Sequence, residues 1–435
     1  MKFIKFLFFC LLLLQILTGC DSTTSIEDPN KSHFLKFYGH DGDQTGDDMV
    51  VLPDGSFILF GTTKPSGGGT LTQWYLVKAD ANGNVIWEKR FGKPKLDEEA
   101  NDIELTNDSR LVAVGNTFNT PTERDVRIMT FTLDGVPLDS AQLAVRDING
   151  NLTTADEDAL SVTQTNDGFI IAGSTTYLFP KPPILGLTDV RDALKIRLFN
   201  NLTVYPNSWV QTYGNYSDDV SQKIYQLANG SFHVFAFTNA TPLSNPNINY
   251  NFWVFPLSAT GDPTTQQLFP GTPNDNEKLS AVCLAPLQSG SGYFLSGITS
   301  NVSGVSDIYV AKLRDALSFD PTDYQFQKPL SIKLGNGIPE RTAVFASRQS
   351  GFYVLSNERN FNDNQNWILT KVSNDGSNAW NLPIVFGGEG LDACGAIQEL
   401  PDGRIVLIGT MRTGKPDVGE FKMTLVKVSA DGKFE

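Results

Sequence analysis

Leu52-Pro53-Asp54-Gly55-Ser56-Phe57-Ile58-Leu59-Phe60-Gly61-Thr62 is a turn leading into an unbroken apolar run and a Gly-Thr pair. It returns near the other end of the chain as Leu400-Pro401-Asp402-Gly403-Arg404-Ile405-Val406-Leu407-Ile408-Gly409-Thr410. Downstream of the first copy come Trp74-Tyr75-Leu76-Val77-Lys78, Asn82-Gly83 and then Val85 to Gly92. Downstream of the second come Leu425-Val426-Lys427 and Asp431-Gly432. Short apolar runs punctuated by Asp-Gly and Asn-Gly read as antiparallel strands joined by tight turns, because these residues accept positive φ.

Between the two copies the run recurs, starting at Phe57, Leu111, Phe169, Phe232, Tyr293, Phe352 and Ile405, at intervals of roughly 50 to 65 residues that mark a repeat architecture. These are seven units of four strands each, with no helical periodicity. A single four-stranded sheet cannot cover both of its faces, so seven such sheets must pack on one another, and a closed ring satisfies them all. Closure has its own signature. The seventh unit stops at Lys433-Phe434-Glu435 without a fourth strand, while Phe34-Leu35-Lys36-Phe37-Tyr38-Gly39 matches the fourth strands that end in Arg90-Phe91-Gly92, Thr212-Tyr213-Gly214 and Val385-Phe386-Gly387. Gly39 to Gly55 and Gly387 to Gly403 are also equally spaced. The N-terminal strand is therefore predicted to complete the last blade and remove both exposed edges.

The set Phe386-Gly387-Gly388, Asp392-x-Cys394, Asp402-Gly403, Ile408-Gly409-Thr410 and Leu425-Val426-Lys427 is similar to the seven-bladed β-propeller repeat family of exported bacterial proteins. The resemblance covers nearly all of residues 33–435. It is good in units one, three, six and seven, and weaker in two, four and five, where Phe237-Thr238 stands in place of Gly-Thr in unit four. It implies an all-β, seven-bladed β-propeller with four antiparallel strands per blade, and it implies no activity.

The N-terminal end specifies an address. Lys2 and Lys5 precede an apolar stretch from Phe6 to Ile16, and Leu17-Thr18-Gly19-Cys20 follows at once. This order is a secretory signal, too short for a bilayer span, which needs about 20 apolar residues. Its end resembles the bacterial lipobox, which implies a signal peptide over 1–19, a covalent lipid on Cys20, and Cys20 as the mature N-terminus. Residues 20–32 are polar and contain Pro29, and they read as a flexible tether. About 12 residues reach at most roughly 40 Å. A single propeller over 33–435 follows. The expected location is the bacterial envelope, in the outer membrane rather than the inner, although Asp21 after the cysteine favours inner-membrane retention in some enterobacteria.

The formal charge is −14, and loss of Lys2 and Lys5 with the signal makes it −16. Such a chain repels nucleic acid and anionic headgroups, so no nucleic-acid partner is expected. Cys10 leaves with the signal and Cys20 takes the lipid. Cys283 and Cys394 fall in different units, which argues against a disulfide.

Aligning the units places Gln44, Glu98, Glu157, Asp219, Glu277, Glu340 and Asp392 at one position, just before the first strand. First strands line the channel of a ring, so these side chains are expected near one mouth of it. There they would form an acidic ring that attracts a cation or a basic group, or else caps of their own turns. A pairing of these acids with third-strand cations such as Lys78, Arg197, Lys312, Lys371 and Lys427 is a further expectation. The second-to-third-strand connections share that face and vary in length, as recognition loops do. They carry Tyr177, Phe179, Tyr250, Phe361 and Trp367 as candidate binding aromatics. Asp147-Ile148-Asn149-Gly150-Asn151 with Asp156-Glu157-Asp158 is a weak calcium pattern whose Gly is misplaced. Asp41-Gly42-Asp43 with Asp47-Asp48 is similarly acidic. No cofactor beyond the lipid is expected. The three histidines His33, His40 and His233 form no zinc pattern, and no nucleophile elbow or phosphate loop appears.

Three functions compete. The first is a binding or scaffold lipoprotein with a protein partner, as an accessory subunit of an outer-membrane assembly. The second is a surface glycan-binding lipoprotein. The third is a carbohydrate-active lyase or hydrolase built on carboxylates. Catalytic signatures are sparse, so the enzyme ranks last.

Overall fold

The computed structural model describes residues 33–434, apart from 67–70, 121–122, 147–150, 177–190, 207–209, 215–217, 240–248, 273, 302, 332–337, 361–363 and 415–418. The chain is all-β, with seven four-stranded antiparallel blades. Blade 2 shows the plan, with Asp97–Leu105 innermost, then Leu111–Thr120, Glu123–Phe131 and Pro137–Leu143 at the rim. In blade 1 the inner strand is split into Asp43–Gln44 and Asp48–Val51. In blade 4 the outermost segment joins Asn251–Leu257 through isolated bridges, Val254 with Leu268 and Leu257 with Pro263, and through a hydrogen bond from the Phe252 amide to the Pro270 carbonyl. Among the described residues no helix is long and apolar enough to cross a membrane.

The second strands are unbroken apolar runs because both of their faces are buried. Successive side chains on a strand point to opposite faces. Phe57 and Leu59 therefore pack with Val406 and Ile408 of blade 7, while Ile58 and Phe60 pack with Leu111 and Ala113 of blade 2. The same division recurs around the ring, giving one apolar cluster at each of the seven blade interfaces. Each fully buried Phe or Leu contributes roughly 1.5–3 kcal/mol.

Closure is as the sequence predicts. Phe34–Tyr38 pairs antiparallel with Glu420–Val428, with Phe34 opposite Lys427 and Tyr38 opposite Met423. The strand thus begins at the end where the Asp-Gly turns lie. Tyr38 crosses to blade 1, where its hydroxyl donates to the Gly83 carbonyl at 2.9 Å. The turn glycines Gly55, Gly83, Gly403 and Gly432 all have φ between +76° and +87°, which is why glycine stands there.

A β-bulge recurs in the inner strands, at Ala100/Asp102, Ala159/Ser161, Ser221/Lys223, Leu279/Ala281, Pro339/Arg341 and Cys394/Ile397. The extra residue shifts the buried phase from every second position to a step of three, as in Glu98, Ala100 and Ile103 or Glu157, Ala159 and Val162. The bulged backbone also accounts for the glycine near the end of the second strands, which is followed two residues on by threonine in Gly61-Thr62-Thr63, Gly115-Asn116-Thr117, Gly173-Ser174-Thr175 and Gly297-Ile298-Thr299, a Gly-x-Thr pattern. A Cβ on Gly61, Gly115, Gly173 or Gly297 would overlap the carbonyl oxygen of Thr45, Glu99, Asp158 or Lys278 respectively.

Candidate functional site

The position occupied by the acidic ring lies at the head of each bulged strand. The side chains turn into the blade interfaces, not toward the channel mouth as the alignment suggested. Glu98, Glu157, Asp219, Glu277 and Asp392 are at most 1 % exposed, and Glu340 alone is exposed and borders the channel. The difference arises at the bulge, which rotates the preceding residue away from the lumen. The carboxylates bond the polypeptide around them. Glu98 accepts from the Lys93 amide at 3.2 Å, Glu277 from the Thr272 amide at 3.2 Å, and Asp392 from the Gly388 amide at 2.9 Å. Each of these amides belongs to the turn that links one blade to the next. The threonine of Gly-x-Thr supplies a second bond, from Thr117 to Glu98, Thr175 to Glu157 and Thr299 to Glu277. Glu340 pairs instead with Arg359 at 2.8 Å.

In the first five units the side chain just before the ring position stitches to the preceding blade. Asp43 accepts from the Phe421 amide, Asp97 from that of Thr72, Asp156 from that of Arg124 and Asn276 from that of Tyr250. Arg124 also grips Asp156 through two nitrogens at 2.8 Å, and Arg191 grips Asp218 at 2.7 and 3.0 Å. Burial pushes the Glu157 carboxyl up to about 8, helped by the charge of Asp125. Burial likewise raises Glu277 and Asp392.

The cations that meet ring acids are Arg127, ion-paired with Glu98, and Arg359 on Glu340. The third-strand cations singled out from sequence sit at the opposite end of their strands. They cap turns: Lys78 donates to the Leu133 carbonyl, Arg197 to that of Ala259, Lys312 to that of Ser289 and Lys427 to that of Ala81. Lys371 lies 4.8 Å from the Tyr353 ring.

The channel itself has a volume of about 810 Å³ and is lined by the inner strands of all seven blades. Lys223 of blade 4 reaches across it to Glu104 at 2.7 Å and Asp102 at 3.4 Å in blade 2. Burial pulls the Lys223 ammonium down, but Asp102 and Glu104 overcome it and hold the group well above its ordinary value. Burial and the neighbouring Asp102 raise Asp48 well above the usual carboxylate range, and burial pushes Asp47 up to about 6.

Of the candidate aromatics, Tyr177, Phe179 and Phe361 lie outside the described residues. Tyr250 is half-buried; its hydroxyl donates to Asp218 at 2.9 Å, and the ammonium of Lys278, a channel-lining residue, sits 3.9 Å from its ring centroid. Trp367 is not a loop aromatic. It stands on the third strand of blade 6, Gln365–Val372, fully buried against Tyr353, Leu407 and Phe386. That strand starts earlier than the sequence suggests, at Gln365, so the tryptophan belongs to the core.

The signal peptide, Cys20 and the tether also lie outside the described residues, as do 147–150 of the calcium pattern. Of its remaining acids, Asp156 and Asp158 pair with Arg124 and Glu157 is the buried ring acid. Among the described residues no three His, Cys, Asp or Glu side chains are placed to hold a metal. Cys283 and Cys394 are free thiols.

The ring of seven sheets, closed by the N-terminal strand around a lined channel, defines a seven-bladed β-propeller. No family model matches the chain, and no curated protein matches it. Solved structures do. The Drosophila semaphorin 1a extracellular domains align with a TM-score of 0.52 at 8 % identity, covering 92 % of this chain and 88 % of that one. The plexin A4 extracellular region aligns at 0.51 and 9 % identity, over 90 % of this chain and 47 % of the other. A protein of unknown function from Dyadobacter fermentans gives 0.47 at 10 % identity, over 76 % and 95 %. At these identities the likeness is one of fold.

Proposed function

We propose that this propeller is a lipid-anchored binding or scaffold protein of the bacterial envelope. In this reading it is an accessory subunit of an outer-membrane assembly and takes a protein partner on its loop-rich face. The observation that carries the reading is the polarity of the closing strand. Phe34 lies opposite Lys427, at the tight-turn end, so a tether running back to Cys20 leaves from that end. The face with the long second-to-third-strand loops stays unobstructed, and variable loops on a rigid ring are suited to recognition.

Two further observations support binding over chemistry and protein over glycan. Glu98, Glu157, Glu277 and Asp392 are buried and hydrogen-bonded by the surrounding backbone and threonines, so they are not presented to a substrate. Trp367 is in the core, so it is not available to stack on a sugar, and one face of Tyr250 is already covered by Lys278. Affinity purification of the tagged full chain from native membranes tests the proposal. A stoichiometric membrane partner, released by changes at Tyr250 and Lys278 or in the adjoining loops, is the expected result. Recovery as a lone monomer overturns it, and capture by a polysaccharide array in place of a protein favours the glycan reading.

A further inference from the structure

Exposed apolar side chains are unevenly distributed on the ring. Among the described residues, nine of the fifteen lie on or directly beside the outer strands of four consecutive blades, while Leu152, Phe199, Val204, Leu284, Leu287 and Val305 stand in turns and at strand ends elsewhere. Blade 6 carries Leu382 and Val385, with Phe434 against its Phe386, and blade 7 carries Leu35 and Phe37. Blade 1 carries Val85 and Ile86, and blade 2 carries Val136 and Leu138. Phe37 is 50 % exposed and Ile86 56 %. The outer strands Val210–Tyr213 of blade 3 and Tyr324–Pro329 of blade 5 carry no exposed large apolar residue. The arc is continuous. Phe434 packs edge-on against Phe386 at 5.9 Å, Lys36 donates to Asn84 at 3.2 Å, and Lys89 donates to the Gly135 carbonyl at 3.1 Å. Contiguous exposed apolar surface on a soluble ring marks an interaction site.

What covers the arc is indicated by the chain that enters it. The strand Phe34–Tyr38 lies inside the arc, and Cys20 precedes Phe34 by 14 positions, a reach of at most roughly 50 Å. Basic groups are interleaved with the apolar ones, namely Lys36, Lys89 and the exposed Arg90, and they outnumber the acids of the same strands, Glu88 and Asp139. Apolar residues mixed with Lys and Arg suit the headgroup boundary of a bilayer. The tight-turn face, the other surface near the tether, is suited to the opposite. Neighbouring serine hydroxyls hold Asp54, Asp375 and Asp431 below the usual carboxylate range, and such charges repel anionic headgroups.

We infer that the propeller lies edge-on against the membrane, with the outer strands of blades 6, 7, 1 and 2 on the lipid surface and its axis roughly parallel to it. This rests on the proposed lipid at Cys20. The loop-rich face then looks along the membrane, toward a neighbour in the same bilayer.

The test compares two fluorophores in the lipidated full chain, one at Ile86→Cys on the arc and one at Gln325→Cys on the outer strand of blade 5. The protein is inserted in vesicles of phosphatidylethanolamine and phosphatidylglycerol doped with nitroxide lipid. Several-fold stronger quenching at Ile86 is expected, and equal quenching overturns the edge-on arrangement. The mass of the purified protein reports the lipid separately. If the lipid is absent, the same two labels in a Cys20→Ala chain, held on nickel-chelating vesicles by a histidine tag at the mature N-terminus, still decide the arc. Sedimentation of untethered Cys20→Ala protein should give a monomer. A dimer that Ile86→Glu dissolves overturns the proposal, because the arc would then be covered by a second copy.

Discussion

Glu157 shows how one side chain ties stability to pH. Its carboxyl is pushed up to about 8 from an ordinary value of 4.5 by burial and by Asp125, so the folded chain holds this proton more tightly than the unfolded chain does. Its contribution is therefore complete below pH 4.5 and is lost as the pH rises through about 8. Glu157→Gln keeps an acceptor for Thr175 and removes the charge. Urea denaturation should find the variant more stable than the parent at pH 9, by roughly 1–3 kcal/mol, and nearly equal at pH 4.5. An unchanged pH profile would mean that the carboxylate is stabilised in a way its partners do not indicate. Gly173 is a steric counterpart. The Asp158 carbonyl occupies the place of a Cβ, so Gly173→Ala should lower the unfolding free energy measured in urea by roughly 1–3 kcal/mol, while Gly388→Ala, which has open space around it, should not.

Among the elements, the closing strand has the largest leverage. Phe34–Tyr38 supplies the fourth strand of blade 7 and also sends Tyr38 into the cluster shared with blade 1. Deleting residues 33–39 should destabilise the whole ring by at least roughly 3 kcal/mol, read as a lower midpoint in both circular dichroism and fluorescence. Moving the same segment behind Glu435 through a short glycine linker should restore it, since the strand and not the tether is what closes the ring. This element was legible because its Phe-Tyr-Gly ending copies Arg90-Phe91-Gly92 and the seventh unit lacks a fourth strand. The second strands were legible because burial on both faces leaves an unbroken apolar run. The ring position was legible as a register but not as a direction. Alternation places Glu98 and Glu157 toward the channel, and only the step of three to Ile103 and Val162 reveals the bulge that turns them inward. Trp367 was misplaced for a related reason, because Asn364-Gln365-Asn366 reads as loop although Gln365 already pairs with Arg359.

At the scale of the whole molecule, the arrangement of the core determines how the ring fails. Every apolar cluster is shared by two blades, and the one between blades 7 and 1 joins the two ends of the chain. An open array of repeats can lose its terminal units one at a time, because each contacts only its neighbours. In the closed ring the loss of any blade exposes two clusters at once, at a cost no partly unfolded state recovers. Unfolding should therefore be a single transition despite the length of the chain. Ile171→Ala in the blade 2–3 cluster and Leu407→Ala in the blade 6–7 cluster should each cost about 2–5 kcal/mol, and the double variant should show the sum, because the sites share no partner. Tryptophan fluorescence, which reports Trp74 in the blade 1–2 cluster and Trp367 in the blade 6–7 cluster, should change in step with far-ultraviolet circular dichroism in all of them. Two separate transitions, with the Leu407→Ala effect confined to one, would show that blades 6 and 7 unfold apart from the rest. Closure would then seal the ring without making it one cooperative unit.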